Sequence, residues 1–296
     1  MNIFANLYRR YMPILLRYRI GKIRTASGKK AAFDRVEAGE FDGFHKGECD
    51  YMRSIGRIEA IPYKWIEEYD MQKIKVYKDK DSRMPYVKVG KDKLFFPKRY
   101  PASYVRLYYN SIRVEQDSRS PHYYFDPQDE RLKDTVFVDV GGAEGYVSLR
   151  VAKNVRSVII LESDPDWIEA LKKTFEPWKE KVTIVNQFAD DHTDKRHTRL
   201  DDVLQGRGNV VLKLDVEGME EKALSGAEQT LKKKDTKLFV CTYHRPTDEV
   251  KLVEFLKRYG FKVELSQGYM FFGNEDIGFR KALARSWGKD ANLSCN

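Results

Sequence analysis

Three features of the sequence predict an α/β fold with a doubly wound, mostly parallel sheet. From Thr135 onward short apolar runs alternate with amphipathic stretches of helical period, the first run ends in a glycine-rich turn, and the first 130 residues lack this rhythm. Near-continuous apolar strands separated by helices belong to a sheet covered on both faces. Residues 1–130 read as a basic N-terminal cap of helical and α+β character, and residues 131–296 as the main domain.

Taken in order, Thr135–Asp139 is the first strand and Tyr146–Lys153 its following helix. Ser157–Leu161 is the second strand, and Asp166–Phe175 has apolar positions at helical spacing. Val182–Val185 and Asn209–Leu214 are strands, Met219–Leu231 a helix, Leu238–Cys241 a strand and Asp248–Tyr259 a helix. Lys262–Leu265 and Tyr269–Phe272 read as a closing hairpin. In the cap, residues 1–70 read as mixed-charge helical pieces. Ile74–Tyr77, Tyr86–Val89 and Leu94–Phe96 read as short strands, and Tyr104–Glu115 as a helix.

The chain has 296 residues, 42% hydrophobic and 33% charged, with a mean hydropathy of -0.62. That composition supports a folded core and excludes a membrane-spanning bundle. Cys49, Cys241 and Cys295 are scattered without C-x-x-C spacing, which excludes a disulfide framework and fits a reducing compartment. The net charge is +9, and it is uneven: residues 1–130 hold 26 Lys and Arg against 18 Asp and Glu, the remainder 28 against 27. An acidic partner for the first half, or solubility alone, accounts for such a bias. Arg9, Arg10, Arg17, Arg19 and Lys22 among Leu7, Ile14, Leu15 and Leu16 form a basic helix suited to docking or to a membrane surface. With no secretory signal in this segment, the expected location is the cytoplasm, and contact with the inner face of the membrane is the less favoured alternative to a docking or dimer role for this helix.

The turn after the first strand reads Asp139-Val-Gly141-Gly142-Ala143-Glu144-Gly145 and opens into a helix, where open α/β sheets of Rossmann-like type bind nucleotides. The run breaks the dinucleotide G-x-G-x-x-G register and contains no phosphate-cradling lysine. A carboxylate at Asp139 repels phosphate and favours a cationic ligand, which points to S-adenosylmethionine. Glu162, ending the second strand, is placed to accept both ribose hydroxyls. Phe188 and Asp190 follow the third strand beside the expected adenine.

These residues resemble the FkbM family of S-adenosylmethionine-dependent methyltransferases. The resemblance rests on Val136–Tyr146, Leu161–Pro165, Thr198–Leu204, Leu212–Glu220 and Ser225–Ala227, spans roughly residues 115–275, and is most specific in Lys213-x-Asp215-x-Glu217-Gly218-x-Glu220. It implies a class I methyltransferase fold and O-methyl transfer, often to sugars of polysaccharides or glycosylated metabolites.

Methyl transfer to an alcohol needs an in-line oxygen and a group to take its proton. Strand alternation puts Lys213 and Asp215 on one face, and the next strand ends in Cys241-Thr-Tyr-His244. The expected catalytic set is His244 as general base, Asp215 orienting it or the acceptor, and Lys213 meeting a carboxylate, with Glu217 near the acceptor. The segment Glu115–Tyr124 precedes the first strand: Glu115 and Asp117 are expected at the cofactor amino group, His122 and Tyr123 at the acceptor. The loop Asp190–His197 offers further ligands, but its spacing matches no metal rule, so no metal is expected. The expected acceptor is a sugar-containing molecule, whether anionic or neutral. The rivals are an RNA ribose 2′-O-methyltransferase, motivated by Lys213, Asp215 and the basic first half, and a non-catalytic cofactor- or glycan-binding protein.

Overall fold

The structure is a computed structural model that describes residues 28–273 and 276–289. The basic helix expected near the N-terminus and Cys295 lie outside the described residues. The described residues divide into two compact units, 28–66 with 270–273 and 276–280, and 67–269 with 281–289.

In the first unit, residues 28–37 are helical and a second helix spans Asp42–Ile55, closed by Gly56 at φ 65°. Ala32, Val36, Cys49 and Met52 bury against Phe271. Met270–Phe272 pairs antiparallel with Gly278–Arg280. The closing hairpin expected between Lys262–Leu265 and Tyr269–Phe272 is therefore not formed. Phe271 is 2% exposed and edge-packed against Phe41 and Phe279, and this burial outweighs a local turn.

The second unit opens with a three-stranded antiparallel sheet, β1 (Tyr77–Lys78), β2 (Pro85–Val89) and β3 (Asp92–Phe95). The first of these begins later than the sequence suggests, because Asp70 caps a 3-10 turn over Met71–Lys73. Helix α1 spans Ala102–Glu115. The alternation then runs β4 (Val136–Val140), α2 (Tyr146–Val151), β5 (Ser157–Leu161), α3 (Pro165–Thr174) and β6 (Val182–Val185). A short parallel ribbon follows, β7 (Phe188–Ala189) with β8 (His197–Thr198). Next come α4 (Leu200–Leu204), β9 (Val210–Leu214), α5 (Glu220–Ser225), α6 (Glu228–Lys232), β10 (Lys237–Cys241), α7 (Asp248–Arg258), β11 (Glu264–Leu265) and β12 (Leu283–Ser286). The single helix expected over Met219–Leu231 is split at Gly226, where any Cβ would stand 2.1 Å from the Asp190 carbonyl oxygen.

Seven strands form the main sheet in the order β11-β12-β10-β9-β4-β5-β6. Strand β12 runs antiparallel to both neighbours, while β10, β9, β4, β5 and β6 are mutually parallel. The sheet is thus the expected doubly wound, mostly parallel one. Its two faces are chemically distinct. Val136, Val138, Val140, Leu212, Leu214, Leu238 and Val240 bury in an aliphatic core with Leu200, Leu204, Leu231, Leu252 and Leu256. The alternate positions of the same strands, Phe137, Asp139, Lys213, Phe239 and Cys241, face the other way. There Phe125 lies 5.8 Å from the ring of Phe137 and 4.6 Å from that of Phe239, which ties the segment before β4 to this face.

Candidate active site

Gly141 has φ 75°, and a Cβ built on it would stand 1.9 Å from the Asp215 carbonyl oxygen. No other residue fits there. The Gly141 and Gly142 amides donate to the Leu161 carbonyl at 2.9 and 3.1 Å, so the turn is pinned to the end of β5. There Glu162 accepts from the Ala143 amide at 2.9 Å and from the Ser163 and Asp164 amides at 2.7 and 2.8 Å. Its carboxylate is held at the rim of the loop with lone-pair capacity left for hydroxyl donors.

Asp139 is placed differently from expectation. It is 1% exposed, pairs with Lys213 Nζ at 2.7 Å and accepts from Ser148 Oγ at 2.7 Å. Register puts Asp139 directly opposite Lys213 on adjacent parallel strands. The Lys213 ammonium also donates to the Gly141 carbonyl at 2.9 Å. Burial disfavours that charge, but Asp139 and Asp215 outweigh it and hold Lys213 protonated. Asp139 and Lys213 therefore support the loop from beneath, and neither is free to meet a ligand or act in catalysis.

Glu115 and Glu144 are acids that burial raises. Burial, then repulsion from Asp215 and Glu144, pushes the Glu115 carboxyl up to about 8. Burial likewise pushes Glu144 up to about 7, although Tyr108 Oη donates to it at 3.3 Å. Half-buried acids raised in this way favour a cation beside them. Asp117 instead turns to Arg119, 2.9 Å away, and to Tyr69 Oη at 2.6 Å. The Arg119 guanidinium holds it well below the usual carboxylate range, which removes it from the expected cofactor set.

At the ends of β9 and β10, Asp215 is the hub. Tyr124 Oη donates to it at 3.0 Å and Tyr243 Oη at 3.1 Å. His244 Nε2 lies 3.3 Å away and His122 Nε2 3.7 Å. Burial opposes ionisation of Asp215, but His244 and Lys213 prevail and hold it well below the ordinary range. His244 Nδ1 also meets Glu220 at 2.9 Å. Burial opposes its charge, yet the bonds to Asp215 and Glu220 raise it to about 10. The structure brings His244 and Asp215 together as the strand ends suggest, but as an imidazolium-carboxylate pair. A protonated imidazole cannot serve as the base at neutral pH.

Burial, followed by the Lys213 charge, lowers His122 to about 4 even though Asp215 favours its charged form. Gln116 Nε2 sits 3.4 Å from its Nδ1, which assigns the proton of the neutral ring to Nε2, facing Asp215. Tyr123 is half-buried, with its carbonyl receiving Arg285. Glu217 lies on the surface at φ 54°, its side chain 3.9 Å from His244 Nε2. Phe188 is 44% exposed. Asp190 is buried, accepts from the Asp191 amide at 2.8 Å and faces Lys222 at 3.6 Å, so it is already engaged.

Tyr124, Tyr243 and Glu220 are the site residues that sequence reasoning missed in these roles. Tyr124 ends the polar aromatic segment that stood out, and Tyr243 adjoins His244, so proximity to flagged residues was the available signal. A cleft of about 660 Å³ lined by Val89, Gly90, Asp126, Arg150 and Lys153 lies elsewhere. Those residues are not among the groups that converge on Asp215.

Comparison with known proteins adds a family match: the methyltransferase FkbM domain fits residues 43–263, extending well upstream of the stretch legible by eye. No curated protein matches the chain. Among solved structures, similarity is found to methyltransferase FkbM from Methylobacillus flagellatus KT, at 18% identity and a TM-score of 0.43, over 56% of this chain and 50% of that one. This chain thus spans half the length of that structure. Precorrin-6y C5,15-methyltransferase from Geobacter metallireducens GS-15 is similar at 16% identity and a TM-score of 0.40, over 58% and 90%. An rRNA methylase from Streptococcus thermophilus follows at 12% identity and 0.38, over 54% and 91%.

Proposed function

The chain belongs to the FkbM methyltransferase family, and we propose that it moves the methyl group of S-adenosylmethionine to a hydroxyl of a sugar-containing acceptor. The supporting observation is the pairing of a side-chain-free turn at Gly141 with two acids raised by burial, Glu144 within that turn and Glu115, which Glu144 and Asp215 repel. When bound, the donor supplies an electrophilic methyl on a sulfonium and carries an ammonium. Glu115 and Glu144 take the ammonium, Glu162 accepts the ribose hydroxyls, and Phe188 packs on the base. Asp215, kept ionised by His244, accepts the hydrogen bond of the acceptor hydroxyl and takes its proton as the O–H bond gives way to the new O–methyl bond. His244 acts as the charge partner of Asp215, while Glu220 orients its ring.

The ribose 2′-O reading keeps the basic first half and Asp215 as its motives, while Lys213 is spent on Asp139 and the Gly141 carbonyl. The test is a labelled-methyl screen of glycans and nucleotide sugars with the wild type and Asp215→Asn. Transfer should occur in the wild type and fall by about 100-fold or more in the variant, with cofactor affinity retained. Cofactor binding without transfer to any acceptor would favour the non-catalytic alternative.

A further inference from the structure

The ribbon formed by β7 and β8 encloses a cluster that the site above does not use. His192, Asp194 and His197 each offer one donor atom within 4.8 Å of the others. His192 Nδ1 lies 3.0 Å from Asp191 Oδ1, which fixes the proton on Nδ1 and aims the Nε2 lone pair toward Asp194 Oδ2, 3.7 Å away. That gap is too long for a hydrogen bond. It is close to the ~3.4 Å between two ligands of one tetrahedral zinc at bonds of ~2.1 Å. A carboxylate behind a ligating imidazole is also the arrangement that sets its tautomer and raises its basicity.

The loop is preorganised. Asp194 Oδ1 accepts from the Arg196 and His197 amides at 2.7 and 2.8 Å and lies 2.9 Å from His197 Nδ1, a contact that the ion replaces; Oδ2 is its outward oxygen. Gln187 Nε2 ties the Asp194 carbonyl at 3.0 Å, and the Arg199 amide donates to Thr193 Oγ1 at 3.0 Å. Two imidazoles and one carboxylate suit zinc and its neighbours, whereas magnesium and calcium prefer all-oxygen shells.

We propose that His192, Asp194 and His197 bind a divalent transition metal of the zinc class, with water completing the coordination. The ion ties β7 to β8 and fixes the His197 ring, on which Phe188 stacks at 5.6 Å. The order H-x-D-x-x-H matches no linear metal rule, and it is the fold of the loop that assembles the donors.

The experiment is calorimetric titration of the untagged full chain with zinc alone near neutral pH, with magnesium in parallel. One zinc site is expected, with no heat from magnesium. Binding should weaken by at least ~100-fold in the His192→Ala/His197→Ala double variant and by about 10-fold in Asp191→Asn. Thermal unfolding keeps the test falsifiable: without zinc the double variant should melt within a few degrees of the wild type, and zinc should raise only the wild type. No zinc binding by the wild type, or equal affinity in the double variant, would overturn the site.

Discussion

The two halves of the carboxyl edge of the sheet are built on opposite principles. At β4 and β5 the site is made of backbone: glycine turns, amide donors and a rim carboxylate, with a buried ion pair, Asp139 with Lys213 of β9, set beneath the loop as a support. At β9 and β10 it is made of side chains whose charges depend on one another, with Asp215 ionised because His244 is protonated. Shape carries the first half and electrostatics the second. A single added methyl should break the former, while pH and charge substitutions should tune the latter.

The largest effect is expected at Gly141. Gly141→Val forces a side chain onto the Asp215 carbonyl in a backbone region that favours glycine, and S-adenosylhomocysteine binding should fall by ~100-fold or more in calorimetry. Lys213→Met comes next. It strands the Asp139 carboxylate in the interior, and urea unfolding should register a loss of about 3–5 kcal/mol. Adding Asp139→Asn should recover part of it, and full additivity of the two losses would mean the pair is not coupled.

His244 sharpens the contrast through pH. Its pKa is raised from 6.5 to about 10, so the stability it contributes is fully present below its unfolded value and is lost as pH rises through about 10. The stability gap between wild type and His244→Gln, measured by urea unfolding, should therefore narrow from neutral pH toward pH 10. A gap that widens over that window would reverse the assigned charge. The smallest effect belongs to Phe188→Ala, which should weaken S-adenosylhomocysteine by ~2–10-fold.

The same division explains what the sequence disclosed. Strand and helix alternation from Val136 to Arg258 is a matter of apolar period, and Gly141, Gly145 and Glu162 announce themselves by residue type and position. Charge states do not. Asp139 reads as a ligand-facing acid until the register sets it against Lys213. His244 reads as a base until Glu220 closes on its second nitrogen, and Asp117 as a ligand until Arg119 claims it. Each depends on a neighbour that only the folded chain supplies. The misplaced hairpin has a similar origin, since Phe271 finds its core in residues more than two hundred positions away, such as Met52.

The central claim is that the Gly141 turn, Glu162 and the two raised acids recognise a methyl donor. Calorimetric titration of the wild type, Glu162→Ala and Glu115→Gln with S-adenosylhomocysteine tests it directly. One site in the wild type and affinities lower by about 10–100-fold in both variants are expected. Undiminished affinity in both variants, or a wild type that ignores this ligand and binds a nicotinamide dinucleotide, would contradict it.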